Sequence, residues 1–258
     1  MPPAIMPPDP PRRAVSVSGT VVDTAHRSLS GARVEVMGGP RAGTVVMTAD
    51  NGRFLLPEKL EPPFTFAVTK DGYMSTTRSY PPSFRPPSEA EGVDFWIELS
   101  SLGPVVNLSG TYTLTLTADD RACAALPAEA RSRTYAATIL STPKPTDFRV
   151  TLSGGQFFSR YDSFGGQTAG NFVRFDVYRY IDEPEPAVVE QVQDGAYLAI
   201  LGAAPTSAEP SGIVAITVPF DGSFEYCPGQ VTADPYRCSS NARLICLSAN
   251  HRLTLVKR

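Results

Sequence analysis

The sequence predicts an all-β chain in two parts, a seven-stranded β-sandwich followed by an antiparallel β-barrel with one short helix. Three observations carry this. Apolar and polar residues alternate with period two in "VSVSGTVV" (15–22), "FTFAVT" (64–69) and "SGTYTLTLTAD" (109–119). The chain's 25 prolines and 20 glycines interrupt it every few residues and leave no room for long helices. All 4 cysteines lie beyond residue 122, which sets the second part apart.

At 258 residues the chain suits two domains. Residues 1–14 form a proline-rich tail predicted to be disordered, 15–101 the sandwich, 102–108 a linker around Gly103-Pro104, and 109–258 the barrel. The tail has no apolar run ahead of a cleavage site, so it is not a secretory signal; it fits a fragment or a misassigned start as well as an intact cytosolic protein.

The sandwich strands follow in order. "VSVSGTVV" and "ARVEVM" (32–37) each bury one face. "GTVVMT" and "GRFLL" flank Asn51-Gly52, a strong tight-turn pair. "FTFAVT", the turn Lys70-Asp71-Gly72, "YMSTTRSY" and finally "VDFWIEL" (93–99) complete the set, the last after a proline-rich loop at 81–87. Seven short strands so closely spaced make a sandwich.

Within this stretch "GTVVDTAHRSLSGARVEV", "TADNGRFLL" and "FTFAVTKDGYMSTT" together resemble the carboxypeptidase regulatory-like domain, a transthyretin-like sandwich grouped with carbohydrate-binding-like folds. Gly19, Val21, Asp23, Leu29, Gly31, Ala32, Val34, Thr48, Gly52, Phe54, Gly72 and Tyr73 occupy its pattern. His26 stands where a turn glycine is usual, Ser28 where a proline is usual, and Glu61-Pro62-Pro63-Phe64 replaces a proline-glycine turn. The resemblance implies turn glycines and core apolars, and no catalytic residue.

Beyond the linker, Tyr112, Leu114, Leu116 and Ala118 form one face of the first barrel strand and Thr111, Thr113, Thr115 and Thr117 the other. "AALPAEARS" is the one short helix. Strands are predicted at about 134–140, 147–153, 156–159, 171–179, 187–192, 196–202, 212–219, 222–227 and 251–257, the pattern of a closed up-and-down barrel. The opening "SGTYTLTLTAD" and closing "HRLTLVKR" are faintly similar to lipocalin-like barrels, with Tyr112 in place of the family's tryptophan and Lys257 or Arg258 as the basic residue packing on it. The half also resembles a β-rich region of bacterial surface proteins.

Four cysteines allow three pairings; no C-x-x-C occurs, and spacings of 104, 11 and 8 residues match no common zinc ribbon. Disulfides in an oxidising compartment are expected, Cys123 with Cys246 joining the first barrel strand to the last and Cys227 with Cys238 stapling a loop. The chain is therefore expected in the cell envelope or secreted.

A net charge of −3 with no basic run excludes an electrostatic footprint for nucleic acid or anionic lipid, and no apolar stretch is long enough to insert in a membrane as a helix. No H-E-x-x-H, G-x-G-x-x-G, P-loop or G-x-S-x-G is present. His26 falls in a turn and His251 at the start of the last strand, and the acids of "DEPEP" (182–186) lack calcium-loop spacing. Neither an enzyme nor a metal or cofactor is expected.

Two candidate binding surfaces remain. In "VDFWIEL" the single tryptophan, Trp96, shares the polar face with Asp94 and Glu98, the arrangement of a sugar-stacking platform; the competing reading packs the indole under the 81–87 loop or against the second domain. In "GGQFFSRYDSFGGQTAGNF" (154–172), Phe157, Phe158, Tyr161 and Phe164 line a barrel-mouth loop or fold back into the core. The expected function is a binding or adhesion module of a bacterial envelope or secreted protein, with carbohydrate or another envelope protein as partner. A structural spacer and a lipocalin-like carrier of a small apolar ligand are the alternatives.

Overall fold

The computed structural model describes residues 14–81, 92–179, 184–192, 195–208, 212–233 and 236–258. The expected proline-rich tail, all but Ala14, and most of the 81–87 loop lie outside the described residues. The chain divides into two compact units, one ending at Leu102 and one starting at Gly103.

Among the described residues of the first unit, seven strands make two sheets: β1 (Val17–Asp23), β2 (Arg33–Val36), β3 (Val45–Met47), β4 (Arg53–Leu55), β5 (Phe64–Thr69), β6 (Thr76–Tyr80) and β7 (Val93–Leu99). One sheet has the order β4-β1-β7 and the other β3-β2-β5-β6. β7 pairs with β1 in parallel, Thr20 opposite Trp96. The inward residues Val17, Val21, Val34, Phe66, Val68 and Ile97 are fully buried. Phe66 meets Phe95 edge-on at 4.9 Å and Phe54 at 6.0 Å, so aromatics from both sheets lock the core.

Two pattern residues acquire physical reasons. Gly52 sits at φ 74°, and a Cβ there would lie 2.6 Å from the Val21 carbonyl oxygen, so no other residue fits beneath β1. The Thr48 hydroxyl donates to the Leu29 carbonyl at 2.5 Å and accepts from the Ala32 amide at 2.8 Å, tying the β1–β2 connection to β3. The Pro62-Pro63 bond is cis.

The second unit runs β8 (Gly110–Thr117), α1 (Ala128–Arg131), β9 (Ser132–Ser141), β10 (Asp147–Ser153), β11 (Gln156–Ala169), β12 (Phe172–Val177), β13 (Val188–Gln191), β14 (Tyr197–Ser207), β15 (Ala215–Cys227), β16 (Val231–Ala233), β17 (Tyr236–Cys238) and β18 (Leu244–Lys257). β8 to β12 pair in sequence, β12 and β13 both pair with β14, β14 pairs with β15 and β15 with β18, and β18 returns to β8, which closes an eight-position up-and-down barrel. Seven positions are held by single strands. The eighth, between β11 and β14, is shared end to end: β12 pairs with β14 over 202–207 and β13 over 197–200. Between them Tyr178 bridges Pro186, and the Arg179 amide donates to the Glu185 carbonyl at 3.0 Å. Of the "DEPEP" acids, Asp182 and Glu183 lie outside the described residues.

Several strands run through glycines that read as breaks. The predicted 212–219 and 222–227 strands are one, β15, with a register shift between Phe220 and Gly222. Gly222 faces Gly202, and a Cβ on Gly222 would sit 2.1 Å from the Leu201 carbonyl oxygen; the two glycines bring the strands together rather than ending them. β18 likewise begins at Leu244 instead of 251, placing His251 mid-strand, and β16 and β17 form a small hairpin that alternation does not reveal. Val106 and Leu108, expected in a linker, are buried in the barrel core.

The interior is filled. Tyr112, Leu114 and Leu116 of β8, Ile139 of β9, Val150 of β10, Phe175 of β12, Phe220 and Phe224 of β15, and Leu253 and Leu255 of β18 belong to one buried cluster. The space a carried apolar ligand would need holds side chains. Tyr112 donates its hydroxyl to the Leu108 carbonyl at 2.8 Å and stands opposite Lys257, whereas Arg258 donates to the Thr113 hydroxyl at 3.0 Å.

Both expected disulfides are present, Cys123–Cys246 and Cys227–Cys238. They close segments of sequence separation 123 and 11, for which loop entropy gives about 5 and about 3 kcal/mol. Replacing Cys123 and Cys246 together by alanine is expected to lower denaturant-measured stability by more than the same replacement of Cys227 and Cys238. An equal or smaller loss for the long crosslink contradicts this loop accounting.

Candidate functional site

The surface around Trp96 is built from the turn that follows β1. Asp23 is fully buried; its Oδ1 accepts the Ala25 and Arg27 amides at 2.9 and 3.0 Å, and its Oδ2 accepts Arg27 Nε at 2.9 Å. Arg27 in turn donates to the Tyr73 hydroxyl at 3.1 Å. These bonds hold the turn so tightly that His26 adopts φ 60°, the left-handed conformation for which glycine is usual at this position. The His26 ring then stands edge-on to Trp96, centroids 5.9 Å apart at 90°.

Trp96 lies on the outward face of β4-β1-β7 and is 59% exposed. Register places Arg53, Thr20 and Trp96 in one row and Leu55, Ser18 and Asp94 in the next. Ser18 donates to Asp94 at 2.6 Å, and Arg53 reaches the same carboxylate oxygen at 3.4 Å. Leu55 is 65% exposed. An indole face, a carboxylate oriented by two donors, a guanidinium and an imidazole therefore share one open sheet surface. Asp94 and Glu98 flank Trp96 as the alternation predicts; His26, Arg53 and Leu55 are additions that only strand pairing supplies.

The aromatic stretch 154–172 is not a loop. Its residues Gln156–Ala169 are β11, whose Gly165-Gly166 pair lies inside the strand. Phe164 is buried in the barrel core and Phe157 packs on it, 5.2 Å from Tyr135. Tyr161 is fully buried in a small separate cluster with Val189 and Ala199, against which Phe158, Tyr197 and Tyr236 pack. The Arg179 guanidinium lies 4.6 Å over its ring.

Several ionisable groups of the barrel are held by hydrogen bonds within it. Glu190 is fully buried; it accepts from both Arg133 Nε and an Arg133 terminal nitrogen, the latter at 2.9 Å, and from the Tyr135 hydroxyl at 2.6 Å. Burial first, and then the Glu190 charge, push the Tyr135 phenol well above its ordinary range. Ligand atoms of Cys123, Cys246 and His251 lie within 4.8 Å of one another, but the two sulfurs are bonded to each other. His251 Nδ1 accepts the Asp119 amide at 2.9 Å, and Nε2 donates to the Gly222 carbonyl at 3.2 Å, the carbonyl of the β15 bulge. Both ring nitrogens are thus used by the neutral imidazole.

Residues 16–90 match the family model of the carboxypeptidase regulatory-like domain. The first unit therefore carries such a domain, at the head of an all-β, doubly disulfide-bonded chain. No curated protein matches the chain. A streptococcal ancillary pilin structure is similar at 13% identity and a TM-score of 0.24, over 66% of this chain and 57% of the pilin chain.

Burial holds the His251 pKa below its ordinary 6.5, and the Asp119 and Asp221 charges only partly offset this. The unfolded chain takes up this proton near 6.5 and the folded chain at lower pH, so stability falls as pH drops below about 6.5. His251→Gln is expected to flatten that slope in denaturant unfolding between pH 7 and 5. A wild-type slope matching the variant's contradicts the assignment.

Proposed function

We propose that the chain is a non-catalytic binding and adhesion module of a bacterial envelope or secreted protein, and that the Trp96 surface takes carbohydrate. The carrying observation is the exposed indole flanked by Asp94, Glu98 and Arg53 on a rigid sheet face. The apolar face of a pyranose stacks on an aromatic ring while carboxylate and guanidinium exchange hydrogen bonds with its hydroxyls. Two disulfides support an oxidising compartment. The groups with the largest titration shifts, Tyr135 and Tyr236, are hydrogen-bonded to Glu190 and Glu225, an arrangement that stabilises packing.

Because Trp96 is the single tryptophan, intrinsic emission reports this surface directly. A glycan-array hit on the oxidised protein is expected to give saturable quenching, and Trp96→Ala to weaken capture at least about tenfold, a loss of about 1.4 kcal/mol. Silence across the array, or a hit that Trp96→Ala leaves unchanged, overturns the sugar reading of this face.

A further inference from the structure

The outer wall of the barrel carries a hollow of about 830 Å³ over β10, β11 and β12, a volume within the range of ligand pockets. Its floor is Gly165. Register sets Arg149, Gly165 and Asp176 in one cross-strand row and Asp147, Gln167 and Arg174 in the next. Every outward position of this grid has a side chain except the central one.

Gly165 and its neighbour Gly166 differ in what they require. A Cβ on Gly166 would lie 2.2 Å from the Phe148 ring, so the core demands glycine there. At Gly165 the φ is ordinary, and a Cβ would meet only the Phe148 carbonyl oxygen at 3.8 Å. Neither backbone nor packing needs this glycine. What a side chain at 165 would do is fill the hollow.

The rim follows from the divided wall position. Tyr178 and Arg179, which follow β12, line one side. The register shift of β11 against β13, between Phe157 and Asp162, brings Arg160 to another at φ 69°. Of the carboxylates, Asp147 pairs with Lys144 at 3.3 Å and Asp176 with Arg174 at 2.6 Å. The guanidinium groups of Arg149 and Arg160 and the carboxylate of Asp162 also line the hollow. Arg149 donates to the Ser163 hydroxyl at 2.7 Å, and among the described residues neither Arg149 nor Arg160 is paired with a carboxylate. The Gln167 Oε1 on the same wall is buried and has no hydrogen-bond partner.

We propose that this hollow is a binding site for a hydroxylated carboxylate, the chemistry of an acidic saccharide unit. The carboxylate takes the forked donors of Arg149 and Arg160, and ligand hydroxyls donate to Gln167 Oε1 and Asp162. The site is separate from Trp96 and does not depend on the reading of that surface.

The test is amide chemical-shift titration of the oxidised full chain at low ionic strength with D-glucuronate, D-glucose and acetate. Glucuronate is expected to shift residues 149 and 160–167 saturably, acetate to shift them with at least tenfold weaker affinity, and glucose not to shift them. Gly165→Thr fills the floor and is expected to weaken glucuronate binding at these residues at least tenfold with an unchanged unfolding midpoint, as is Arg149→Gln. Gly165→Ala, with only a methyl group, serves if the threonine variant unfolds and is expected to bind more weakly than wild type. Unchanged glucuronate binding by the folded position-165 variant, shifts confined elsewhere, or no shifts at all overturn the site. Glucose shifting residues 149 and 160–167 as well as glucuronate does overturns the role of the carboxylate, and acetate shifting them as well overturns that of the hydroxyls.

Discussion

Antiparallel pairing of β10 with β11 closes the barrel, and the second unit depends on that closure. An open meander of this length would expose two strand edges and one apolar face. Joined at Val150 and Phe164, the same strands turn every second residue onto one shared core, and no edge remains in the ring. The long strands, the bulges and the in-wall glycines are consequences: each lets a strand bend far enough to reach the next neighbour.

Closure also decides which surfaces are available for function. A barrel filled by Tyr112, Phe175, Phe220 and Phe224 has its inner face committed to stability. The faces left accessible are the outer ones, and these are shaped by local departures from regularity. On the barrel wall the departure is a strand position divided between β12 and β13, which yields a rimmed hollow. In the first unit it is the Asp23 turn, whose buried carboxylate holds His26 in a left-handed conformation beside an exposed indole. The two surfaces arise from different devices on different folds.

The last barrel strand concentrates several constraints. Cys246 ties it to Cys123, and His251 spans from the Asp119 amide to the carbonyl exposed by the β15 bulge. A bulge leaves a backbone group without a ladder partner, and a buried neutral imidazole supplies one. The histidine that looks like an isolated polar residue in the sequence is a hydrogen-bonded strut beside a disulfide.

By itself, the sequence determined the class and most of the order of elements. Period-two alternation marks β5, β7, β8 and β10, the Asn51-Gly52 and Lys70-Asp71-Gly72 turns mark their separation, and cysteine placement supports the pairings found. It also put Trp96, Asp94 and Glu98 on one face, because alternation is a local property of the strand. What only tertiary structure decided is which glycines end strands and which lie within them. Gly165, Gly166, Gly202 and Gly222 read as breaks, and their meaning depends on a neighbouring strand far away in sequence. The aromatics Phe157, Phe158, Tyr161 and Phe164 followed from that misreading, since a stretch taken for a loop turned out to be wall. Cross-strand companions such as Arg53 and His26 for Trp96, or Arg149 for Gly165, are set by register, and register is fixed by burial and closure over the whole sheet.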